Sequence, residues 1–246
     1  MKSRSATVNA KRIMQAQAED LRKALAAKGY RPQSDSSSPE IVVYNRKWKD
    51  TPYLFAINDK RTFGDYVGQW GKIMEKGLPF GGEVFLRGGA AKTGAVYELS
   101  RGGRAGFTKR GGDVAVKLEY DTNDGRLLAF LPEEIAKVKI DAPVEVAPGG
   151  DLTFEFKVLG RSGKPVPAVL PVEARLYDSS GRELDGAGYA AAEGGVCRMT
   201  VPLNLDDAPG EYRLVCRDRA SGLVAEKRIF RGKLPWFRKT WRKLAE

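Results

Sequence analysis

Apolar residues recur along this chain with two different periods. From Ala10 to Leu25 they fall three or four apart, at Ala10, Met14, Ala18, Leu21 and Leu25, the stripe of an amphipathic helix. Thr7 or Asn9 can cap its start and Gly29 can close its end. The stripe needs burying, so the helix is expected to pack on something larger, with its Lys, Arg and Gln residues facing water. From Pro39 to Phe230 the period drops to two, in short runs separated by glycine-bearing turns. The runs at 41–48, 53–59, 83–88, 94–100, 113–120 and 126–132 make a first set. Val114, Val116 and Leu118 alternate with polar neighbours, and Asn123-Asp124-Gly125 supplies a hairpin turn whose residues tolerate positive φ. A second set follows: two strands around Pro148–Gly150, then 166–184 with a turn at Asp178–Gly181, then 196–203, and a final pair within 211–230. In that pair Tyr212, Leu214 and Cys216 alternate with Arg213, Val215 and Arg217, one face buried and the other mostly polar.

Two stretches lack either period. Residues 31–40 are rich in Pro and Ser and read as a linker, and residues 63–82, rich in Gly and aromatics, read as a long excursion over the first sandwich. The fold expected is all-β: two consecutive antiparallel β-sandwich domains, the second immunoglobulin-like, with an N-terminal amphipathic helix and a short basic C-terminal helix. The division is helix and linker at 1–39, first sandwich at 40–135, second at 136–230 and tail at 231–246.

Charge changes this picture little at the centre and much at the ends. The net charge of +11 comes from residues 1–31, which carry +6, and residues 231–246, which carry +5; residues 32–230 are neutral. A nucleic-acid-binding sheet would carry its own basic stripe, so no nucleic-acid partner is expected for the body. No apolar run approaches the roughly 20 residues that span a bilayer. The N-terminus has no continuous apolar stretch and no small-residue cleavage site, so it is not a secretory signal. The protein is cytoplasmic, or it is periplasmic or secreted as part of a larger exported protein.

The chain contains no histidine, which removes Ser-His-Asp and Cys-His catalysis and His-ligated zinc. Glu133-Glu134 and Asp206-Asp207 sit at turns or element ends, where solvated charge is the default. No catalytic residue, metal site or cofactor is expected. Trp48, Tyr66, Trp70 and Phe80 are candidates for stacking on sugar rings or contacting a partner, against the plainer reading that they close the sandwich ends. In the tail, Leu234, Phe237, Trp241 and Leu244 oppose Arg238, Lys239, Arg242 and Lys243. Phe237, Arg238, Trp241 and Arg242 are thus candidates for docking, on another domain in preference to an anionic membrane surface. Cys197 and Cys216 both face the core in this pattern; they form a disulfide in an exported protein or stay as reduced core thiols in the cytoplasm.

The runs Tyr53-Leu-Phe-Ala-Ile-Asn-Asp59, Ala95-Val-Tyr-Glu-Leu99 and Asp124-Gly-Arg-Leu-Leu128 resemble the C-terminal β-sandwich that follows the catalytic barrel in many bacterial glycoside hydrolases. The resemblance covers about residues 40–135 and the helix before them, with Glu98 where that pattern often has Asp. The second module, with Ala147-Pro-Gly-Gly150 and Pro209-Gly-Glu-Tyr212, is similar to immunoglobulin-like and macroglobulin-like sandwiches of extracellular bacterial multidomain proteins. In such enzymes the catalytic carboxylates lie on the barrel, so the resemblance implies a non-catalytic structural or binding module, accessory to a carbohydrate-active domain. Polysaccharide or another protein domain is the implied partner. The alternative is a protein-interaction or surface-structure module of macroglobulin or adhesin type.

Overall fold

The computed structural model describes the backbone of residues 2–62, 66–67, 71 and 73–232, and side chains over 12–62, 71 and 75–232. The chain order is α1 (Lys2–Ala27), β1 (Ser34–Ser36), β2 (Ile41–Trp48), β3 (Thr51–Asn58), β4 (Tyr66–Val67), β5 (Ile73–Met74), β6 (Phe80–Leu86), β7 (Ala95–Glu98), β8 (Arg104–Ala105), β9 (Thr108–Arg110) and β10 (Asp113–Tyr120). It continues through β11 (Gly125–Leu131), β12 (Ile135–Asp141), β13 (Glu145–Val146), β14 (Asp151–Gly160), β15 (Val169–Tyr177), β16 (Glu183–Leu184), β17 (Tyr189–Glu193), β18 (Val196–Pro202), β19 (Gly210–Asp218) and β20 (Val224–Arg231). Among the described residues the protein is all-β apart from its leading helix, as the period-two runs predict; the tail read as a short basic helix, 233–246, lies outside them.

Two compact units emerge. The first gathers residues up to Lys47 with Pro52–Val96 and Ala105–Phe130; the second gathers Trp48–Thr51, Tyr97–Arg104 and the chain from Leu131. In the first unit, sheets of order β1-β6-β10-β9 and β2-β3-β11-β7-β8 supply opposite sides of one core. Registers such as Val116↔Val84 and Leu128↔Leu54 place like-facing apolar residues side by side. Leu54, Val84, Val96, Val116 and Leu128 are fully buried there. Asn58, at the end of β3, is buried among loops: its Nδ2 donates to the carbonyls of Leu78 and Asp121 at 2.7 and 2.9 Å, and its Oδ1 accepts from Lys60 N. A single amide thus satisfies three loop groups that would otherwise be stranded away from water.

The helix begins at Lys2, before the predicted caps, and ends where predicted. Gly29 adopts φ of +78°, and Gly29 N and Tyr30 N donate to the carbonyls of Ala26 and Leu25. Its stripe departs from expectation: Met14 and Leu21 are each more than half exposed. The last turns are tied down by Arg22, which reaches Asp35 at 3.3 Å. The segment read as a linker contains β1, which pairs with β6, and the 63–82 excursion contains the small ribbon β4-β5 before β6 begins at Phe80. Extended pairing here is set by neighbouring strands, which a local period cannot display.

The second unit is one continuous hydrogen-bonded sheet, in the order β12-β14-β18-β17-β15-β19-β20-β13 with β16 added on β15, folded over its own core. The fold-over comes at the β17–β18 turn, where Gly194 and Gly195 take φ of +61° and +74° and pairing shrinks to Glu193↔Val196. Leu152, Phe154, Phe156, Leu176 and Leu214 fill the interior. Tyr212 is buried beside them with its hydroxyl donating to Ala208 O at 2.7 Å, the tyrosine corner found at the entry to a late strand of immunoglobulin-like sandwiches.

Candidate functional site

Of the aromatic residues nominated from sequence, Trp48 belongs to the second unit and Phe80 to the first. Trp48 is half-buried, with Lys49 Nζ 4.5 Å from its ring centroid and its ring over the Gly194 turn, where a Cβ would come within 3.2 Å. Phe80 is half-buried against the first core, with Lys60 Nζ 4.3 Å from its ring. Each ring thus packs on protein and has a lysine within 4.5 Å of its centroid. Tyr66 lies in β4 with its side chain outside the described residues, and Trp70, Phe237, Arg238, Trp241 and Arg242 also lie outside them. Cys197 and Cys216 are free and buried; burial, with a smaller effect from Cys197, pushes the Cys216 thiol up to about 12, so it is an unreactive core group. Of the paired carboxylates, Glu133 accepts from Ser162 N and Oγ, whereas Glu134 pairs with Arg104 and Arg161. Asp207 closes a local turn through Asn204 N. Among the described residues no group of His, Cys, Asp and Glu is arranged to hold a metal ion.

The best-formed polar constellation lies on the outer face of β17, β15 and β19 in the second unit. Register aligns Tyr189, Glu173 and Arg217 on one rung, with Arg175 and Val215 on the next outward rung and Tyr177 and Arg213 on the one after. With strands about 4.8 Å apart, the outer two residues of the first rung stand about 10 Å apart across Glu173. Glu173 is only 7% exposed. Its Oε1 accepts from Arg175 Nε at 2.8 Å and Nη2 at 2.7 Å, and its Oε2 from Arg219 Nη1 at 3.2 Å. Arg175, then the charges of Arg219 and Arg217, hold the carboxyl below its usual range against the opposing effect of burial. Arg219 also stands 6.0 Å from the centroid of Tyr189, and Arg213 stands 4.5 Å from that of Tyr177.

This arrangement makes a shallow depression of about 250 Å³ lined by Glu173, Arg175, Tyr177, Val215, Arg217 and Arg219. Tyr189 borders it and is 72% exposed, an aromatic face open to solvent beside a guanidinium. A buried carboxylate that fixes two guanidinium planes gives a pre-ordered surface of the kind that binds with little side-chain entropy loss. Sequence reasoning recognised the polar face containing Arg213 and Arg217. It did not reach Glu173 or Tyr189, because their placement depends on pairing between strands more than 15 positions apart.

No family model matches the sequence, and no curated protein matches it. Among solved structures, a superoxide reductase (neelaredoxin) from Ignicoccus hospitalis is similar over 39% of this chain and 80% of its own, at 20% identity and a TM-score of 0.29. A β-glucosidase from Listeria innocua is similar over 39% of this chain and 16% of its own, at 18% identity and a TM-score of 0.27. Dimeric latent PorU from Porphyromonas gingivalis is similar over 82% of this chain and 20% of its own, at 13% identity and a TM-score of 0.29.

Proposed function

We propose that the chain is a non-catalytic binding module of a larger extracytoplasmic protein, accessory to a carbohydrate-active domain, and that it holds carbohydrate on the outer face of the second unit. The observation that carries this reading is the pairing of an exposed Tyr189 ring with an ordered arginine cluster on a regular sheet face. A flat aromatic surface suits the apolar face of a pyranose, and guanidinium donors suit its oxygens. The resemblance of residues 40–135 to the sandwiches that accompany glycoside hydrolases supports the same class of ligand.

Affinity electrophoresis of the full chain, through gels containing one soluble polysaccharide each, tests it. Retardation by at least one polysaccharide, removed by Tyr189→Ala, is expected. Migration unretarded in every gel, or a Tyr189→Ala variant retarded like its parent, overturns the assignment.

One observation favours the protein-interaction alternative. Val42 and Tyr44 on β2 and Phe55 and Ile57 on β3 lie on neighbouring strands of the first unit and are between 39 and 51% exposed, an apolar patch on a solvent-facing side. On that reading, Ile57→Asp abolishes capture of a partner domain in a pull-down, and no polysaccharide retards the chain.

A further inference from the structure

Resting on the assignment of the Glu173 face to carbohydrate, we propose that its ligand is an acidic polysaccharide, with a pyranose ring on Tyr189 and a carboxylate or sulfate held by Arg217 and Arg219. The charge count at the rung leads there. Glu173 is a single negative charge among three guanidinium groups, and its two oxygens are already engaged by Arg175 and Arg219. Arg175 turns its remaining nitrogen toward Glu183, at 3.4 Å. Arg217 is exposed and stands without an ion pair among the described residues, so a full donor fork is free beside the partly free fork of Arg219. Two guanidinium groups with open donors, flanking one compensated carboxylate, form a site for one planar or tetrahedral oxyanion.

The surroundings limit what bears that anion. Beside the depression, along β19 and β20, Arg213 pairs with Glu226 at 3.3 Å and Arg228 with Glu211 at 3.0 Å. The excess charge is therefore a spot, whereas a single-stranded nucleic acid is held along a continuous basic groove with successive stacking rings. One exposed ring with the Arg219 guanidinium 6.0 Å from its centroid fits a sugar unit carrying its own acidic group.

The basic chain ends would hold any polyanion weakly, so the test compares variants of the full chain. Affinity electrophoresis is run at matched ionic strength with polygalacturonate, a sulfated galactan and neutral dextran, and oligothymidylate is titrated separately by fluorescence anisotropy. The parent is expected to be retarded by the uronate or the sulfated polymer and not by dextran; which of the two acts tells carboxylate from sulfate. The Arg217→Ala/Arg219→Ala double variant is expected to lose affinity by about tenfold or more, with an unchanged melting temperature. Retardation by dextran that depends on Tyr189 but not on the arginines leaves the carbohydrate assignment standing and overturns the acidic ligand. Retardation by acidic polymers that survives in the double variant assigns it to the basic ends and overturns the inference. Tighter, arginine-dependent binding of oligothymidylate overturns it in favour of nucleic acid, and no retardation by any polysaccharide sinks both assignments.

Discussion

At Glu173 a carboxylate that is almost fully covered is kept ionised by the groups it organises. Removing its charge leaves Arg175, Arg217 and Arg219 close together, with their like charges offset by Glu183, 3.4 Å from Arg175, and by solvent. The arginines are 44 to 48% exposed where they pair with it, so water screens much of the attraction. Glu173→Gln is accordingly expected to cost about 1 kcal/mol, far less than a fully buried ion pair would. Urea unfolding at low ionic strength checks the size, and repeating it in 0.5 M NaCl should narrow the gap to the parent, because added salt screens the newly unbalanced cations. A deficit that salt leaves unchanged would mean that Glu173 acts through packing. The same substitution loosens the donor forks without touching ligand, so a positioning role predicts weaker retardation on acidic polysaccharide alongside that salt-dependent loss.

Turns decide the element scale, and glycines of similar conformation carry very different burdens. Gly195, at the corner between β17 and β18, has φ of +74°, and a Cβ there would lie 2.7 to 2.9 Å from backbone atoms of Val166 and Val158. Those atoms belong to hydrogen bonds that hold the corner, Val166 N to Val158 O at 3.0 Å and Ala168 N to Val166 O at 2.8 Å. Gly163 has nearly the same φ, +77°, with nothing within 4 Å. Gly163→Ala should cost about 1 kcal/mol, the conformational penalty alone, and Gly195→Ala about 3 kcal/mol, since the backbone must also move. Equal losses in denaturant midpoint would refute the steric part of the argument. The contrast also shows what the sequence makes legible. Alternation at Tyr212, Leu214 and Cys216 displays β19 directly, and Gly29 marks the helix end. Nothing local in Ser34–Ser36 announces β1, which exists because β6 offers it a partner. The candidate site is a stronger case: Tyr189, Glu173 and Arg217 are far apart in sequence and meet through two strand registers, so the polar character of the face is readable but its chemistry is not.

For the molecule as a whole, the electrically balanced body carries many carboxylates whose charge is locked into local bonding, and this sets how the fold answers to acid. In the second unit Asp178 is held at about 2 by Ser180, then by the backbone N–H groups of Arg182 and Ser180 and the Arg182 side chain. Asp141 is held at about 2 by Lys139 and Lys157. A carboxyl with a folded value below its unfolded value, here 3.8, stabilises the fold fully above that unfolded value. Its contribution is lost as the pH falls through the folded value. Asp218 works in the opposite direction: burial raises it despite the donors Ala220 N, Ser221 N and Ser221 Oγ, so protonating it favours the fold as pH drops. Asp141 and Asp178, joined by Asp113, Glu133 and Glu173 with shifts of the same sign, oppose that single raised carboxyl among the described residues. The urea midpoint is therefore expected to hold nearly level from pH 7 to about 4 and then to fall steeply toward pH 2. The Asp141→Asn/Asp178→Asn double variant should start lower at pH 7 and lose less over that acid range, so the two curves converge near pH 2. Parallel curves would show that the acid sensitivity arises elsewhere, in the general repulsion of a chain whose ends already carry all of its net positive charge.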